Sequence, residues 1–255
     1  MIKTTLLSQS TQPIIDGKAM AVQRLSNLKG KVTQLKITPK LAIVMKAGNP
    51  AMPAGRQASE IYVRQKVKAA QLVGITVEIV ESIEMVPLDA NGVIVQLPYP
   101  NADAVIAKIP LEKDVDNLTG KSKFLGATVA AVLLVAGDLT GKSVVVVGQG
   151  ILVGRPLSDY LEKQKIAVIR CDEFTKNLAE KTKQADVLVV ATGVPNLIKV
   201  DMVKPGAVVI DCGSPKAEVD FDSVSRVALA ITPVPGGIGP LTVVSLLENV
   251  VEAAL

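Results

Sequence analysis

A two-domain α/β fold with parallel sheets is predicted by three features of the chain. Val144 to Val147 are four consecutive valines, and an unbroken apolar run of that length suits a strand covered on both faces. That run is followed by Gly148, Gly150 and Gly154 and then by a helical pattern from Pro156, with proline near the first turn. Further apolar runs at Ile166–Cys171, Asp186–Ala191 and Ala207–Asp211 alternate with helical or loop material, the pattern of a doubly wound sheet.

The preceding half reads α-β-α-β-β. A helix is predicted from Ile14–Lys18 to about Leu28, apolar at Met20, Val22, Leu25 and Leu28. Leu41–Met45 is a short buried strand, and Gly48–Gly55, with two prolines and two glycines, is a loop. Ser59 is expected to cap a helix over Glu60–Val73 that ends at Gly74. Thr76–Ile83 and Gly92–Gln96 are strands separated by a turn at Pro87–Asn91. Asn117–Lys123 is polar and irregular, which places the boundary near residue 120. Thr128–Gly137 is a helix leading into the valine strand. Ile231–Pro240 reads as extended and Leu241–Leu255 as a final amphipathic helix. The expected domains are residues 1–120, with 241–255 packing back on them, and residues 121–240.

Composition narrows the chemistry. At 255 residues and 49% hydrophobic, the chain can bury a substantial core. The net charge of +4 is dispersed and aromatics are only 2%, so a nucleic-acid partner is not expected. The N-terminus lacks a signal peptide's apolar stretch, and no apolar run approaches a membrane span. Cys171 and Cys212 lie at or near strand ends, so reduced thiols and a cytoplasmic location are expected. The chain has no histidine, which removes histidine-based acid–base, triad and zinc chemistry. Proton transfer must fall to Lys, Tyr, Cys or carboxylates.

Four groups of residues could carry function. The turn at Gly148–Gly154, opening a helix, presents free N–H groups and a positive dipole end that suit a pyrophosphate. It could equally be a tight strand-to-helix connection, since a glycine fingerprint alone is weak. Tyr62 and Lys66 lie four apart and so share a helix face, a pattern that in an ordinary helix is a half-buried anchor beside a solvated charge. Gln96 ends an apolar strand, either as a hydrogen-bonded strand cap or as a ligand contact at the rim where open α/β sheets bind. Asp114 and Asp116 place two carboxylates in a loop, where charge is ordinarily solvated.

The order of these pieces resembles the bifunctional methylenetetrahydrofolate dehydrogenase/methenyltetrahydrofolate cyclohydrolase family. The matching strings are IIDGKA at 14–19, SEIYVRQKVKAAQLVGI at 59–75, GVIVQLPYP at 92–100 and IPLEKDVDN at 109–117. They continue with GQGILVGRP at 148–156, ADVLVVATGVP at 185–195, KPGAVVIDCG at 204–213 and ITPVPGGIGPLT at 231–242. The resemblance implies a catalytic domain followed by a Rossmann-type domain. It implies Lys66 as the acid–base group at the one-carbon bridge, Gln96 orienting it, Tyr62 stacking on the folate and Asp116 accepting from the pterin. Leu97, Pro98, Pro235, Gly236 and Gly237 would line the folate cleft. Gly148, Gln149, Gly150, Val153, Gly154, Asp172, Glu173, Thr192 and Gly193 would hold NAD(P)⁺. The tetrahydrofolate derivative is the implied substrate, and a homodimer the implied assembly.

The chain departs from the family pattern at several points. Gln149 and Gly150 replace Arg-Ser, and Asp172-Glu173 replaces His-Ser after the following strand. Two carboxylates would repel a 2′-phosphate, whereas an acid beyond the glycine turn suits a ribose 2′-OH. NAD⁺ is therefore expected over NADP⁺. Gly126-Ala127-Thr128-Val129 stands where P-C-T-P is usual, and the loop Leu118–Phe124 is short. The helix usual before V-Q-L-P is replaced by Glu84–Asn91, and Met52–Gln57 reads as an added loop. These changes leave two rivals: another two-domain NAD(P)-dependent dehydrogenase, of the amino-acid or shikimate type, and a member that has lost one activity or only binds ligand.

Overall fold

The computed structural model describes residues 14–46 and 53–255. The reading of the N-terminus before Ile14, and that of the loop over residues 48–52, fall outside the described residues. The chain divides into two compact units: Gly17–Leu134 with Gly239–Leu255, and Val135–Ile238 with the segment ending at Asp16.

The first unit is built on a three-stranded parallel sheet of β1 (Lys40–Val44), β2 (Thr76–Val80) and β3 (Gly92–Val95), in the order β2-β1-β3. Alternate residues of these strands feed two cores, as the period of a strand requires. Leu41, Ile43 and Ile94 face a cluster with Leu28 of α1 (Gly17–Val32), Val63, Ala70 and Val73 of α2 (Pro53–Val73), and Leu246, Leu247 and Val250 of α8 (Ile238–Ala253). Ala42, Val44, Val93 and Val95 face the other, with Ile109 and Ile106 of α3 (Ala102–Ile106). The final helix thus belongs to the core of this unit, as its sequence pattern predicts. The helix α4 (Ala127–Ala136) carries the chain into the second unit.

Five local expectations are corrected. The helix expected from Glu60 begins at Pro53, because proline suits a first helical turn. Ser59 is therefore inside the helix, and its hydroxyl donates to the Leu97 carbonyl at 2.8 Å instead of capping. The added loop expected to reach Gln57 is helical from Pro53 onward. The strand from Thr76 stops at Val80, and Ile83–Met85 forms a tight helical turn. Of the segment read as extended, Ile231–Pro240, only Ile231 is strand, ending β8 (Ala230–Ile231); a turn with Gly237 N–H donating to Pro233 O at 2.8 Å then leads into α8, which begins at Ile238.

The second unit holds β4 (Val144–Val147), α5 (Gly154–Lys163), β5 (Val168–Cys171), α6 (Leu178–Thr182), β6 (Val187–Val190), β7 (Val208–Asp211), α7 (Phe221–Val224) and β8. Its five strands are parallel in the order β5-β4-β6-β7-β8. Successive connections leave β4 in opposite directions, so the sheet has a switch point there, where α/β folds bind ligands. The four valines are at most 2% exposed, as a central strand demands. Ile15 N–H donates to Ile231 O at 2.8 Å, which ties the N-terminal segment to the β8 edge. Among the described residues no helix is long and apolar enough to cross a membrane.

Candidate active site and dinucleotide site

In the first unit, α2 and the C-terminal end of β3 bring three of the expected residues together. Gln96 follows β3, and its backbone N–H donates to Val44 O at 2.9 Å, continuing the strand ladder by one residue. Its side chain faces Lys66, whose Nζ donates to Gln96 Oε1 at 2.9 Å. Gln96 Nε2 donates in turn to Leu97 O at 3.1 Å. Because the amide nitrogen already serves a carbonyl, its oxygen is the end left for the amine. Ser59 and Gln96 both hold the Leu97 carbonyl, so α2 clamps the turn that enters Pro98. Tyr62 is half-buried one turn before Lys66, and a Cβ added at Gly239 would come within 4.0 Å of its hydroxyl.

Burial lowers the Lys66 amine below its ordinary value, and the nearby negative charge of Asp116 partly opposes that. Burial raises the Asp116 carboxyl, opposed by the Lys66 charge and by the Ala127 N–H. That N–H donates to Asp116 Oδ1 at 2.7 Å. Burial therefore shifts both groups in the directions a proton-transfer site uses, and their mutual attraction limits the two shifts. The substituted Gly126-Ala127 segment still supports this carboxylate. A Cβ at Gly126 would approach Asp116 O to 3.1 Å.

The second carboxylate of the loop does different work. Asp114 is fully buried; its Oδ1 accepts from Leu118 N–H at 2.9 Å, and its Oδ2 from the Thr119 N–H and hydroxyl at 2.9 and 2.6 Å. It folds the loop that presents Asp116, and neither carboxylate is merely solvated.

In the second unit the glycine turn has the packing a dinucleotide site needs. Gly148 has φ +92°, and a Cβ there would overlap the Ala191 carbonyl. A Cβ at Gly154 would overlap the Gly148 carbonyl, so α5 seats directly on the end of β4. At Gly150, by contrast, a Cβ would meet no atom within 4 Å, which leaves open backbone at the helix entrance. Val153 precedes α5, and its carbonyl accepts from Leu157 N–H at 2.9 Å. Gln149 turns inward, with Nε2 donating to Val146 O and Gly148 O at 3.2 Å each. Its Oε1 is buried without a partner. These features fit a nicotinamide dinucleotide.

Asp172 and Glu173 lie exposed just past β5, beside the turn, since Gly148 N–H donates to Cys171 O at 2.8 Å. Asp172 Oδ1 accepts from Phe174 N–H at 3.1 Å and from the Thr175 hydroxyl at 2.8 Å, which fixes the carboxylate. Thr192 and Gly193 follow β6. Pro235, Gly236 and Gly237 form the turn after β8, with Gly236 at φ +114°. Sequence reasoning missed Asp211 and Glu218, both buried carboxylates, whose only sequence signal is an acidic residue set directly between or after apolar neighbours.

A parallel-sheet unit with a glycine turn at its switch point, together with a unit carrying a Lys–Gln–Asp constellation, defines a nucleotide-dependent α/β enzyme. Residues 15–116 match the tetrahydrofolate dehydrogenase/cyclohydrolase catalytic domain, and residues 126–255 match the NAD(P)-binding domain of the same family. The chain belongs to that family. It is 38% identical to the bifunctional protein FolD of Halalkalibacterium halodurans over 94% of this chain and 98% of that protein. To that of Agathobacter rectalis it is 39% identical, over 94% and 98%. The crystal structure of the bifunctional FolD methylenetetrahydrofolate dehydrogenase/cyclohydrolase from Campylobacter jejuni superposes with a TM-score of 0.86 at 34% identity, covering 94% of this chain and 98% of that one. The Trypanosoma brucei methylenetetrahydrofolate dehydrogenase-cyclohydrolase, solved with NADP and an inhibitor, gives 0.85 at 28% identity, covering 96% and 98%.

Proposed function

We propose that Lys66, Gln96 and Asp116 form the folate site of a methylenetetrahydrofolate dehydrogenase and methenyltetrahydrofolate cyclohydrolase, and that its preferred oxidant is NAD⁺. The hydrogen bond between Lys66 and Gln96, set beside the Asp116 charge, carries this reading. Bound nicotinamide supplies the hydride acceptor for oxidising 5,10-methylenetetrahydrofolate to the methenyl form. In the second reaction water adds to the electrophilic bridge carbon, and the Lys66 amine accepts its proton. Burial favours the neutral amine that this step needs. Gln96 Oε1 fixes the direction of Nζ, which the ammonium keeps as it returns the proton to the departing ring nitrogen. Asp116, held at Oδ1 by Ala127 N–H, faces the amino group and ring N–H of the pterin, a paired charge-assisted contact. Tyr62 offers its ring to the folate, and Leu97 and Pro98 border it.

For the dinucleotide, Gly148, Gln149, Gly150, Val153 and Gly154 receive the pyrophosphate, and Thr192 and Gly193 border it. The preference for NAD⁺ is supported by Asp172, whose oriented carboxylate accepts from a ribose 2′-OH and repels a 2′-phosphate, with Glu173 adding to the repulsion. The arginine on the adjoining strand is committed elsewhere: Arg170 pairs with Asp159 and Glu162 on α5 at 2.7 and 2.6 Å. Family membership supports a homodimer.

The deciding experiment mixes purified protein with methylenetetrahydrofolate and either cofactor while the methenyl absorbance is followed through its rise and decay. A rise and decay with both cofactors, and a higher kcat/KM for NAD⁺, is expected. No signal with either cofactor would end the enzymatic reading, and a higher kcat/KM for NADP⁺ would end the cofactor assignment.

A further inference from the structure

The second unit buries two carboxylates that the chemistry above does not use. Asp211 and Glu218 are 2% and 3% exposed, and neither has an Lys or Arg partner among the described residues. Asp211 ends β7. Its Oδ1 accepts from Gly213 N–H at 2.7 Å, and its Oδ2 from Glu218 N–H and Val219 N–H at 2.9 Å each. The carboxylate thus folds the residue 211–219 segment back and fixes the backbone of Glu218. The pocket is tight, because a Cβ at Gly213 would fall 2.8 Å from Asp211 Oδ1 and 2.9 Å from Glu218 Cγ.

Glu218 in turn reaches the loop after β6. Its Oε2 accepts from Thr192 N–H at 2.6 Å and from the Thr192 hydroxyl at 2.7 Å, and its Oε1 accepts from Gly193 N–H at 2.9 Å. The Thr192 hydroxyl also accepts from Val194 N–H at 3.0 Å. Both oxygens of one buried anion therefore organise a single turn, and every donor they use comes from that turn. The same turn packs on the dinucleotide glycine: the Cβ that Gly148 lacks would lie 2.9 Å from Thr192 N and overlap the Ala191 carbonyl. Burying an anion without a cation is costly unless hydrogen bonds replace its hydration. A structural cap could be made by a neutral side chain, so a carboxylate here points to a demand for acceptors only.

We infer that Glu218 is a positioning residue for the dinucleotide, holding the Thr192-Gly193 turn against the Gly148 turn so that the two present one surface to the cofactor. The inference rests on the reading that the glycine turn binds a nicotinamide dinucleotide. A glutamine at 218 would keep the shape but replace one acceptor by an NH₂ facing N–H donors. The turn must then retreat, and the surface beside Gly148 opens.

The test measures the Kd for NAD⁺ by calorimetry in wild type and in Glu218→Gln, alongside KM and kcat for the dehydrogenase. Cyclohydrolase turnover consumes no dinucleotide and reports whether the chain is folded. The expected result for Glu218→Gln is a Kd and a KM for NAD⁺ raised tenfold or more, with kcat at saturating NAD⁺ within twofold of wild type. A Kd within twofold of wild type, or a loss confined to kcat, would overturn the inference. If Glu218→Gln also loses cyclohydrolase turnover, Asp211→Asn, which loosens the backbone of Glu218 without touching the cofactor site, decides: a Kd raised more than twofold supports it, and a Kd within twofold overturns it. Failure of the wild type to bind either dinucleotide would instead overturn the dinucleotide reading itself, and this inference with it.

Discussion

Lys66 and Asp116 illustrate how one residue's setting becomes another's reactivity. The amine is lowered by burial and held up by the Asp116 charge, so the carboxylate tunes the pH at which the amine can take a proton. Asp116→Asn keeps the acceptor for Ala127 N–H and removes the charge. The influence that raises Lys66 is lost, its pKa falls further, and the neutral amine persists to lower pH. The pH profile of cyclohydrolase kcat should therefore move toward acid, measured at saturating methenyl substrate so that weaker binding does not enter. A profile that stays in place, or moves toward alkali, would show that Asp116 does not act on Lys66. Lys66→Met removes the proton carrier altogether and should lower cyclohydrolase kcat by about 10²–10⁴-fold, the usual range for general acid–base catalysis, with a smaller effect on dehydrogenation because hydride transfer needs no proton from the protein. Equal losses in both activities would contradict that division.

At the scale of elements, α8 does more than fill the core. Asn249 Nδ2 donates to Val115 O at 2.8 Å and to Leu125 O at 2.9 Å, joining the loop before Asp116 to the segment that caps it. Asn249→Leu leaves two carbonyls without their donor, which costs about 2 kcal/mol or more and lowers Tm by roughly 4–8 °C. The KM for folate should rise with it, since both carbonyls flank the Asp116 support; a folate KM unchanged at lower Tm would confine Asn249 to stability. That helix was legible in the sequence because its apolar residues recur at helical spacing, and Asn249 was not, because its partners are more than 100 residues away. The valine strand and the glycine turn were legible for a related reason: each is dictated by local sterics. The start of α2 was misread because Ser59 looks like a cap, while its hydroxyl serves a distant carbonyl. The Pro233–Gly237 turn was read as extended because proline and glycine mark irregular backbone without specifying its bend. Lys66, Gln96 and Asp116 were legible individually, but only the fold pairs Nζ with Oε1.

Over the whole molecule, the chain builds two units that share no strand. One carries Lys66, Gln96 and Asp116 around the β1–β3 sheet, and the other carries the glycine turn on the β4–β8 sheet. The helix α8 returns to the first core after the second is finished, so the catalytic unit is complete only when the last residues are in place. A ligand of the second unit then stabilises the native molecule by mass action, with no new contact needed in the first. Cofactor at 100 times its Kd contributes about 2.7 kcal/mol, enough to raise the unfolding temperature by several degrees. The fixed Asp172 carboxylate makes this gain depend on the 2′ position: a hydroxyl donates to it, whereas a phosphate brings two negative charges together. At equal concentration NAD⁺ should therefore raise the unfolding temperature more than NADP⁺, and Asp172→Ser should narrow the gap by removing the repulsion. Because this measurement needs no folate and no turnover, it separates cofactor choice from catalysis. A larger shift with NADP⁺, or a gap unmoved in Asp172→Ser, would place the discrimination on residues other than Asp172.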